Sequence, residues 1–252
     1  MNAVLDVSIL GPAFIAGLLV IATHVPLGRE VLARGIIFID LAVAQVAGFG
    51  VIAAHVFGHE PGTVVVQISA IAAALIAAIG LNFTGRRWPD VQEALIGALF
   101  ILAASGSLLL LAGSPHGAEN LKDLLVGQIL WVAPSALGIT AAIYGVVLVL
   151  WLRFRAPMGT MGFYVLFAVT VTTSVQLVGI YLVFASLILP ALAIRRLSGP
   201  WGLWVGYSVG GVGYAIGILL SALFDLPTGA VVVLTLALVA ATLGWRLPRS
   251  RP

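Results

Sequence analysis

Long apolar runs, separated by short polar or Pro/Gly-containing connections, follow one another along the whole chain. Because a helix needs about 20 mostly apolar residues to cross the hydrocarbon core of a bilayer, each such run predicts a transmembrane helix. Runs of sufficient length cover 8–26, 35–57, 63–83, 92–112, 134–152, 160–178, 200–222 and 228–246. Two shorter apolar pieces, 121–132 and 180–194, predict half-helices or re-entrant segments. The pattern therefore predicts an all-α polytopic membrane bundle of about eight full spans, forming a single domain over 1–252.

The composition agrees with a membrane protein. The 252 residues are 62% hydrophobic and 8% charged, and the mean hydropathy of +1.18 is far above that of a soluble domain. The chain has no cysteine, which excludes disulfides, thiolate metal ligands and cysteine nucleophiles. No Lys or Arg precedes Arg29, so the first run lacks the basic region of a cleavable signal peptide and is expected to remain as a span.

The basic residues are confined to a few connections. All except Lys122 fall in five places: Arg29 and Arg34, Arg86 and Arg87, Arg153 and Arg155, Arg195 and Arg196, and Arg246, Arg249 and Arg251. Since Lys and Arg are retained on the cytoplasmic side during insertion, these places are predicted to be cytoplasmic, and 57–62, 113–123 and 224–229 to face outward. The N-terminus is then outside, and the C-terminus, with its basic tail 246–252, is inside. This distribution explains the net charge of +3 without a nucleic-acid partner.

The segment 160–194 is basic beyond both ends, so it has to leave the cytoplasmic side and return. A helix over 160–178, a turn at Gly179 and a descending piece over 180–194 would satisfy this requirement, although 15 helical residues span only about 22 Å. The glycines at 206, 210, 213 and 217 form a small-residue pattern that predicts close helix packing within the chain rather than a dimer motif.

Three stretches together resemble the zinc/manganese permease family of ABC transporters. They are PLGREVLARGIIFIDLAVAQVAGFGV at 26–51, GIYLVFASLILPALAIRRL at 179–197 and DLPTGAVVV at 225–233. A fourth, PHGAENLKDLLVGQILWV at 115–132, is similar to the family's Leu-rich segment, with Gln128 where that family has an Asp. The resemblance implies the permease subunit of an importer for a divalent transition metal, zinc or manganese, in the cytoplasmic membrane.

The resemblance also implies partners: a second copy of the permease, a cytoplasmic ATP-binding subunit and an extracytoplasmic metal-binding protein. The sequence contains no G-x-x-x-x-G-K-[ST] phosphate loop, so ATP has to be hydrolysed by another chain. The permease is then not an enzyme itself and holds no permanent cofactor, because the metal is its substrate.

Asp40 is the acidic residue that this interpretation places inside a span, about 9 Å of helix beyond Arg34. An ionised carboxylate at that depth costs on the order of 2.5–3.5 kcal/mol, so we expect Asp40 either to bind the metal or to be paired with a neighbouring polar group. The family's histidine one turn later is Ala44 in this chain. Gln45 and His24 are candidate replacements, and structural roles in helix packing are the alternative for both.

Two further sets of residues are candidates for partner contacts. On the predicted outer side, His55 and His59, four residues apart with Glu60 adjacent, form one group that could receive metal. His116, Glu119 and Asp123 form another, and ordinary interfacial residues are the alternative for both groups. On the cytoplasmic side, the resemblance makes 190–200 the coupling helix that docks the ATPase, through Pro190, Ala191, Arg195, Arg196 and Leu197; a plain positive-inside anchor is the alternative.

Three other functions compete with this interpretation. An intramembrane hydrolase would need a Ser/His pair, two membrane aspartates or H-E-x-x-H, and the sequence offers none of these in its predicted spans. A permease for a metal chelate, such as iron-siderophore or cobalamin, has a similar helical plan but no need for Asp40. An ion-coupled secondary carrier would need no partner ATPase.

Overall fold

The computed structural model of the protein describes residues 7–60, 63–111 and 117–246, which are almost entirely helical and contain no strand. Two single 3-10 turns, Pro89–Val91 and Ile129–Trp131, complete the regular structure. The helices are α1 (Val7–Arg34), α2 (Ile39–Val56), α3 (Val64–Arg87), α4 (Gln92–Leu111), α5 (Gly117–Val126), α6 (Pro134–Val178), α7 (Ile180–Ala193), α8 (Gly199–Phe224) and α9 (Thr228–Arg246). The prediction of an all-α membrane bundle is confirmed.

Seven helical segments within the described part of the chain are long and apolar enough to cross a bilayer. They include the two arms of α6, Pro134–Phe154 and Pro157–Val178, which meet at a bend where Gly159 has φ 63° and ψ −169°. The last predicted span forms α9, whose apolar part, Thr228–Gly244, is shorter than the others. The two short apolar pieces form α5 with the turn after it, and α7.

The beginning of the second span differs from the prediction. Helix α1 does not end at Pro26 but continues to Arg34, with Pro12 and Pro26 inside it. Prolines are tolerated within membrane helices because neighbouring groups satisfy the freed backbone. The chain then turns at Gly35, and α2 begins at Ile39, four residues later than the predicted span.

The described residues form two compact units. Unit 1 lies within Met1–Gly35, Val126–Gly145 and Leu177–Pro252, and unit 2 lies within Ile36–Leu125 and Val146–Gln176. In unit 1, α1 packs against α7 and α8, and both of these pack against α9. In unit 2, α2 packs against α3 and α4.

Glycines on two faces of α8 allow its neighbours in unit 1 to approach closely. A Cβ at Gly206 or Gly210 would collide with Val25 or Ile21 of α1, and one at Gly213 would collide with Leu236 of α9. Gly217 likewise faces Val232 and Thr235 of α9. The predicted intramolecular packing role of this glycine series is therefore confirmed.

A buried hydrogen bond joins α7 to α8 in the same unit. The Ser186 Oγ donates its only hydrogen to the Leu182 carbonyl at 2.6 Å, so the Tyr214 hydroxyl, 2.8 Å from that Oγ, is the donor of the second bond. Both side chains are fully buried. The pair fixes the register between the two helices.

The predicted turn at Gly179 is also confirmed. Helix α6 ends at Val178, Gly179 adopts φ 84°, and α7 begins at Ile180. Gly127, with φ 71°, lies directly against this turn, since a Cβ on Gly179 would come 2.7 Å from the Gly127 Cα. The loop after α5 and the α6–α7 turn are thus in backbone contact.

Unit 2 is held by small residues and by a side-chain bridge. Gly50 of α2 lies against the α3 backbone at Ser69 and Ala70. At the other end of α3, the Gln92 Nε2 donates to the Leu81 carbonyl at 2.9 Å, and the Gln92 Oε1 accepts from the Thr84 hydroxyl at 3.1 Å. This bridge closes the connection between α3 and α4.

Candidate functional site

Asp40 is the second residue of α2 and is completely buried. Neither carboxylate oxygen has a hydrogen-bond partner among the described residues. Its predicted position within the helix was wrong, because α1 extends to Arg34 and the turn after it delays the start of α2. Asp40 therefore lies in the first turn of that helix rather than in its middle.

Burial of the Asp40 carboxylate is costly in free energy, because neither oxygen has a hydrogen-bond partner among the described residues. A buried carboxylate that is neither paired nor hydrogen-bonded has to bind a proton or a cation. The positive end of the α2 dipole favours negative charge in the first turn, by about 0.3–1 kcal/mol at exposed sites, which does not offset burial. An oxygen pair of this kind can act as a ligand for a divalent cation.

Ala44, which stands where the family has a histidine, and Gln45, a candidate replacement ligand, are both buried. Ala44 is 1% exposed and Gln45 is 2% exposed. Because alanine offers no ligand atom, α2 supplies Asp40 as its buried ionisable group. The role of Gln45 as an added oxygen ligand stays a prediction.

His24 is fully buried in α1, within unit 1. Its Nδ1 lies 2.9 Å from the Val20 carbonyl oxygen, so the hydrogen of the neutral ring is on Nδ1. The Thr23 hydroxyl is 3.1 Å from the same nitrogen. The Nε2 is buried without a partner among the described residues, which leaves its lone pair available for a metal.

The predicted ligands do not form a complete metal cage. Asp40 and Gln45 belong to unit 2, whereas His24 belongs to unit 1. Over the described residues, no group of three or more His, Cys, Asp or Glu side chains could hold a metal ion. The described part of the chain thus offers separate candidate ligand atoms rather than a ligand cluster.

Two buried polar residues of unit 2 were missed by the sequence analysis. Asn82 in α3 and Thr172 in the second arm of α6 each have an oxygen, Oδ1 and Oγ1 respectively, that is buried without a partner in the described part of the chain. Asn82 lies inside the apolar run 63–83, four residues before Arg86, so its polar side chain is visible in the sequence in the same way as that of Asp40.

The outer histidine group has a different geometry from the one predicted. The amide of Gly58 donates to the His55 carbonyl, and that of His59 donates to the Ala54 carbonyl, which is the hydrogen-bond pattern of a Schellman motif. This motif ends α2 at Val56, so His55 and His59 do not share a helical face. His59 and Glu60 are exposed, and the Nε2 of the partly buried His55 has no partner among the described atoms. Reception of a metal by this group stays a prediction.

The second outer group cannot be placed. His116 lies outside the described residues, as do the side chains of Glu119 and Asp123, whose backbones belong to α5.

The predicted coupling segment forms the end of α7, a turn and the beginning of α8, not a separate helix. Pro190 and Ala191 are buried in α7, whereas Arg195 in the turn is exposed and Arg196 and Leu197 are half-buried. The turn is held by Arg29 of α1, whose Nη1 donates to the Gly199 carbonyl at 3.1 Å. Two guanidinium groups are therefore presented on a braced turn.

The model of one family, described as the ABC 3 transport family, matches residues 6–163 and 158–244. The chain belongs to the ABC 3 transport family. Among this family member's relatives, the "Manganese transport system membrane protein MntC" of Halalkalibacterium halodurans is 25% identical, over 96% of this chain and 87% of that protein. The "Probable metal transport system membrane protein" of Thermotoga maritima is 26% identical, over 91% of this chain and 86% of that one.

A solved structure has the same fold. PsaBC from Streptococcus pneumoniae, in complex with Fab, superimposes with a TM-score of 0.79 and 21% identity, over 98% of this chain and 95% of that chain. The match extends over the helices that carry Asp40 and His24 and over the turn that carries Arg195 and Arg196. The ABC 3 family member is thus a multi-pass membrane protein of a transport family, and its candidate residues lie within the shared fold.

Proposed function

We propose that this chain is the permease subunit of an ABC importer that carries a divalent transition metal, zinc or manganese, across the cytoplasmic membrane. Membership of the ABC 3 transport family supports the permease role. The names of two relatives, one a manganese and one a metal transport protein, support the metal. The observation that carries the proposal is the buried Asp40, whose carboxylate oxygens have no partner among the described residues.

In this mechanism Asp40 is a transient ligand on the path of the ion. One carboxylate binds a divalent cation weakly, and weak binding allows release. Gln45 and the free Nε2 of His24 are candidates for the remaining ligands, and a homodimer would supply a second copy of each. The missing imidazole at Ala44 makes the site richer in oxygen ligands, which is compatible with manganese as well as zinc.

The driving force comes from a separate ATP-binding subunit that docks on Pro190, Ala191, Arg195, Arg196 and Leu197. An extracytoplasmic binding protein delivers the metal at the outer side, where His55, His59 and Glu60, or His116, Glu119 and Asp123, receive it. The permease contributes no covalent chemistry and needs no resident cofactor.

The test is uptake of radioactive zinc and manganese by cells that lack their own importers and express the complete transporter. Asp40→Asn keeps the size of the side chain and removes its charge. Uptake should fall at least about tenfold, because even the loss of a residue that only orients a metal ligand typically costs about 10- to 100-fold. Asp90→Asn is the matched control, because Asp90 is exposed in the connection before α4.

Membrane content of each variant is measured by immunoblotting. Wild-type uptake by Asp40→Asn at equal content would remove Asp40 from the mechanism. Uptake of the metal only when it is supplied as a chelate would identify a chelate permease instead.

A further inference from the structure

A cleft of about 560 Å³ opens in unit 1 between the final turns of α7 and α9. Its walls include Leu189 and Leu192 of α7 and Ala237 and Ala241 of α9, and Arg195 and Arg196 lie at one end. The cleft is therefore apolar along its length and cationic at its mouth.

The cleft extends well into the apolar bodies of both helices. Leu189 precedes Ala193, the last residue of α7, by four residues, which corresponds to about 6 Å of helix. On the other wall, Ala237 precedes Gly244 by seven residues, or about 10 Å. The deep part of the cleft thus lies beside the short apolar helices Ile180–Ala193 and Thr228–Gly244, while the arginines follow the end of the first of them.

The positive charge at the mouth has no carboxylate partner among the described residues. None of the described residues that line the cleft is an Asp or a Glu. One Nη1 of Arg195 donates to the Leu192 carbonyl at 3.0 Å, and neither arginine forms a salt bridge with a carboxylate of the described residues. An occupant that carries an anion at one end would supply this missing partner.

We propose that the cleft binds one anionic phospholipid, with its phosphate on Arg195 and Arg196 and part of an acyl chain along the α7 and α9 walls. A free phosphate would gain nothing from the apolar walls, and a zwitterionic lipid would bring its own cation with its phosphate and so leave the two positive charges of the arginines without a net counter-charge. Basic pockets between transmembrane helices on the cytoplasmic side recognise anionic headgroups in this way. The proposal concerns a lipid site and does not depend on which metal is carried.

The experiment is native mass spectrometry of the full-length permease, purified in detergent and titrated with phosphatidylglycerol or phosphatidylcholine. Two basic residues near a headgroup favour the anionic lipid by about thirtyfold, so we expect phosphatidylglycerol to be retained preferentially by about that factor. Arg195→Gln with Arg196→Gln should remove the preference. Arg153→Gln, which changes an exposed arginine at the end of the first arm of α6, should not.

A second variant tests the apolar part of the cleft. Ala241 is exposed on α9 and lines the cleft, so Ala241→Phe fills it without disturbing a buried contact. We expect this variant to lose retention of phosphatidylglycerol, while Ala72→Phe, on an exposed face of α3, retains it. Each variant is first checked for a monodisperse elution profile.

Three results would overturn the proposal. The first is equal retention of both lipids by the wild-type chain. The second is displacement of phosphatidylglycerol by millimolar inorganic phosphate, which would indicate a simple anion site. The third is unchanged lipid retention in the double arginine variant together with loss of ATPase binding, which would assign the arginines to protein docking alone. None of these results bears on whether Asp40 is needed for metal uptake.

Discussion

Gly127 and Gly179 bring two backbone segments of unit 1 into direct contact, and both have a positive φ. In Gly127→Ala, the added Cβ would overlap the Val178 carbonyl and would also force a left-handed conformation on alanine. Left-handed backbone costs about 1–2 kcal/mol for such a residue, and the overlap adds to this. We expect a loss of at least about 2 kcal/mol of stability, measured as a lower midpoint of thermal aggregation in detergent.

Gly97 provides the matched control for this substitution. It lies inside α4, and a Cβ there would meet no atom within 4 Å. Gly97→Ala should therefore be neutral or stabilising by about 0.5–1 kcal/mol, the difference in helix propensity. Equal midpoints for Gly127→Ala and Gly97→Ala would show that the contact at Gly179 is not needed.

At the same scale, Asp40 shows what could be predicted from the sequence about the candidate site. Its type is visible, because a carboxylate within an apolar run is rare and expensive. Its lack of a hydrogen-bond partner among the described residues is not visible, since that depends on which side chains the fold brings near it. The same limit applies to the Nε2 of His24, which has no partner in the described part of the chain because the ring donates from Nδ1 within its own helix.

The braced turn between α7 and α8 is the element on which the proposed coupling depends. Arg195 and Arg196 project from a turn that the hydrogen bond from Arg29 to Gly199 fixes against α1. Arg195→Glu with Arg196→Glu reverses two charges at this docking surface, and like charges placed opposite each other across an interface cost several kcal/mol. We expect the ATPase to be lost from the purified complex, measured by co-purification through a tag on the permease.

The control for the coupling variant is Arg153→Glu, which reverses the charge of another exposed arginine. This variant should retain the ATPase. Normal ATPase retention by the double variant, with its insertion verified, would leave the turn as a topological anchor only.

The boundaries of the elements were less predictable than their number and type. Apolar periodicity predicted a span wherever a long helix is found, and the glycine between two apolar runs predicted the α6–α7 turn. The apolar run 8–26, however, predicts a helix that ends at Pro26, whereas α1 continues for two further turns to Arg34. A proline's effect depends on what its neighbours provide for the freed carbonyl, and the local sequence does not contain that information.

At the scale of the whole molecule, the absence of cysteine makes the predicted orientation directly testable. The positive-inside rule places Asp90 and Ser198 in the cytoplasm and Phe57 and Leu226 outside, and all four side chains are exposed. Single cysteines at Asp90 and Ser198 should react with a membrane-impermeant maleimide in inside-out vesicles, and those at Phe57 and Leu226 in right-side-out vesicles. Ser198 and Leu226 flank α8, a helix of 26 residues and about 39 Å, so they have to lie on opposite sides of a bilayer of about 30 Å. Labelling of these two from the same side would therefore contradict α8 as a span. An inverted pattern at all four positions would instead place the turn with Arg195 and Arg196 outside the cell, together with the ATPase proposed to dock there.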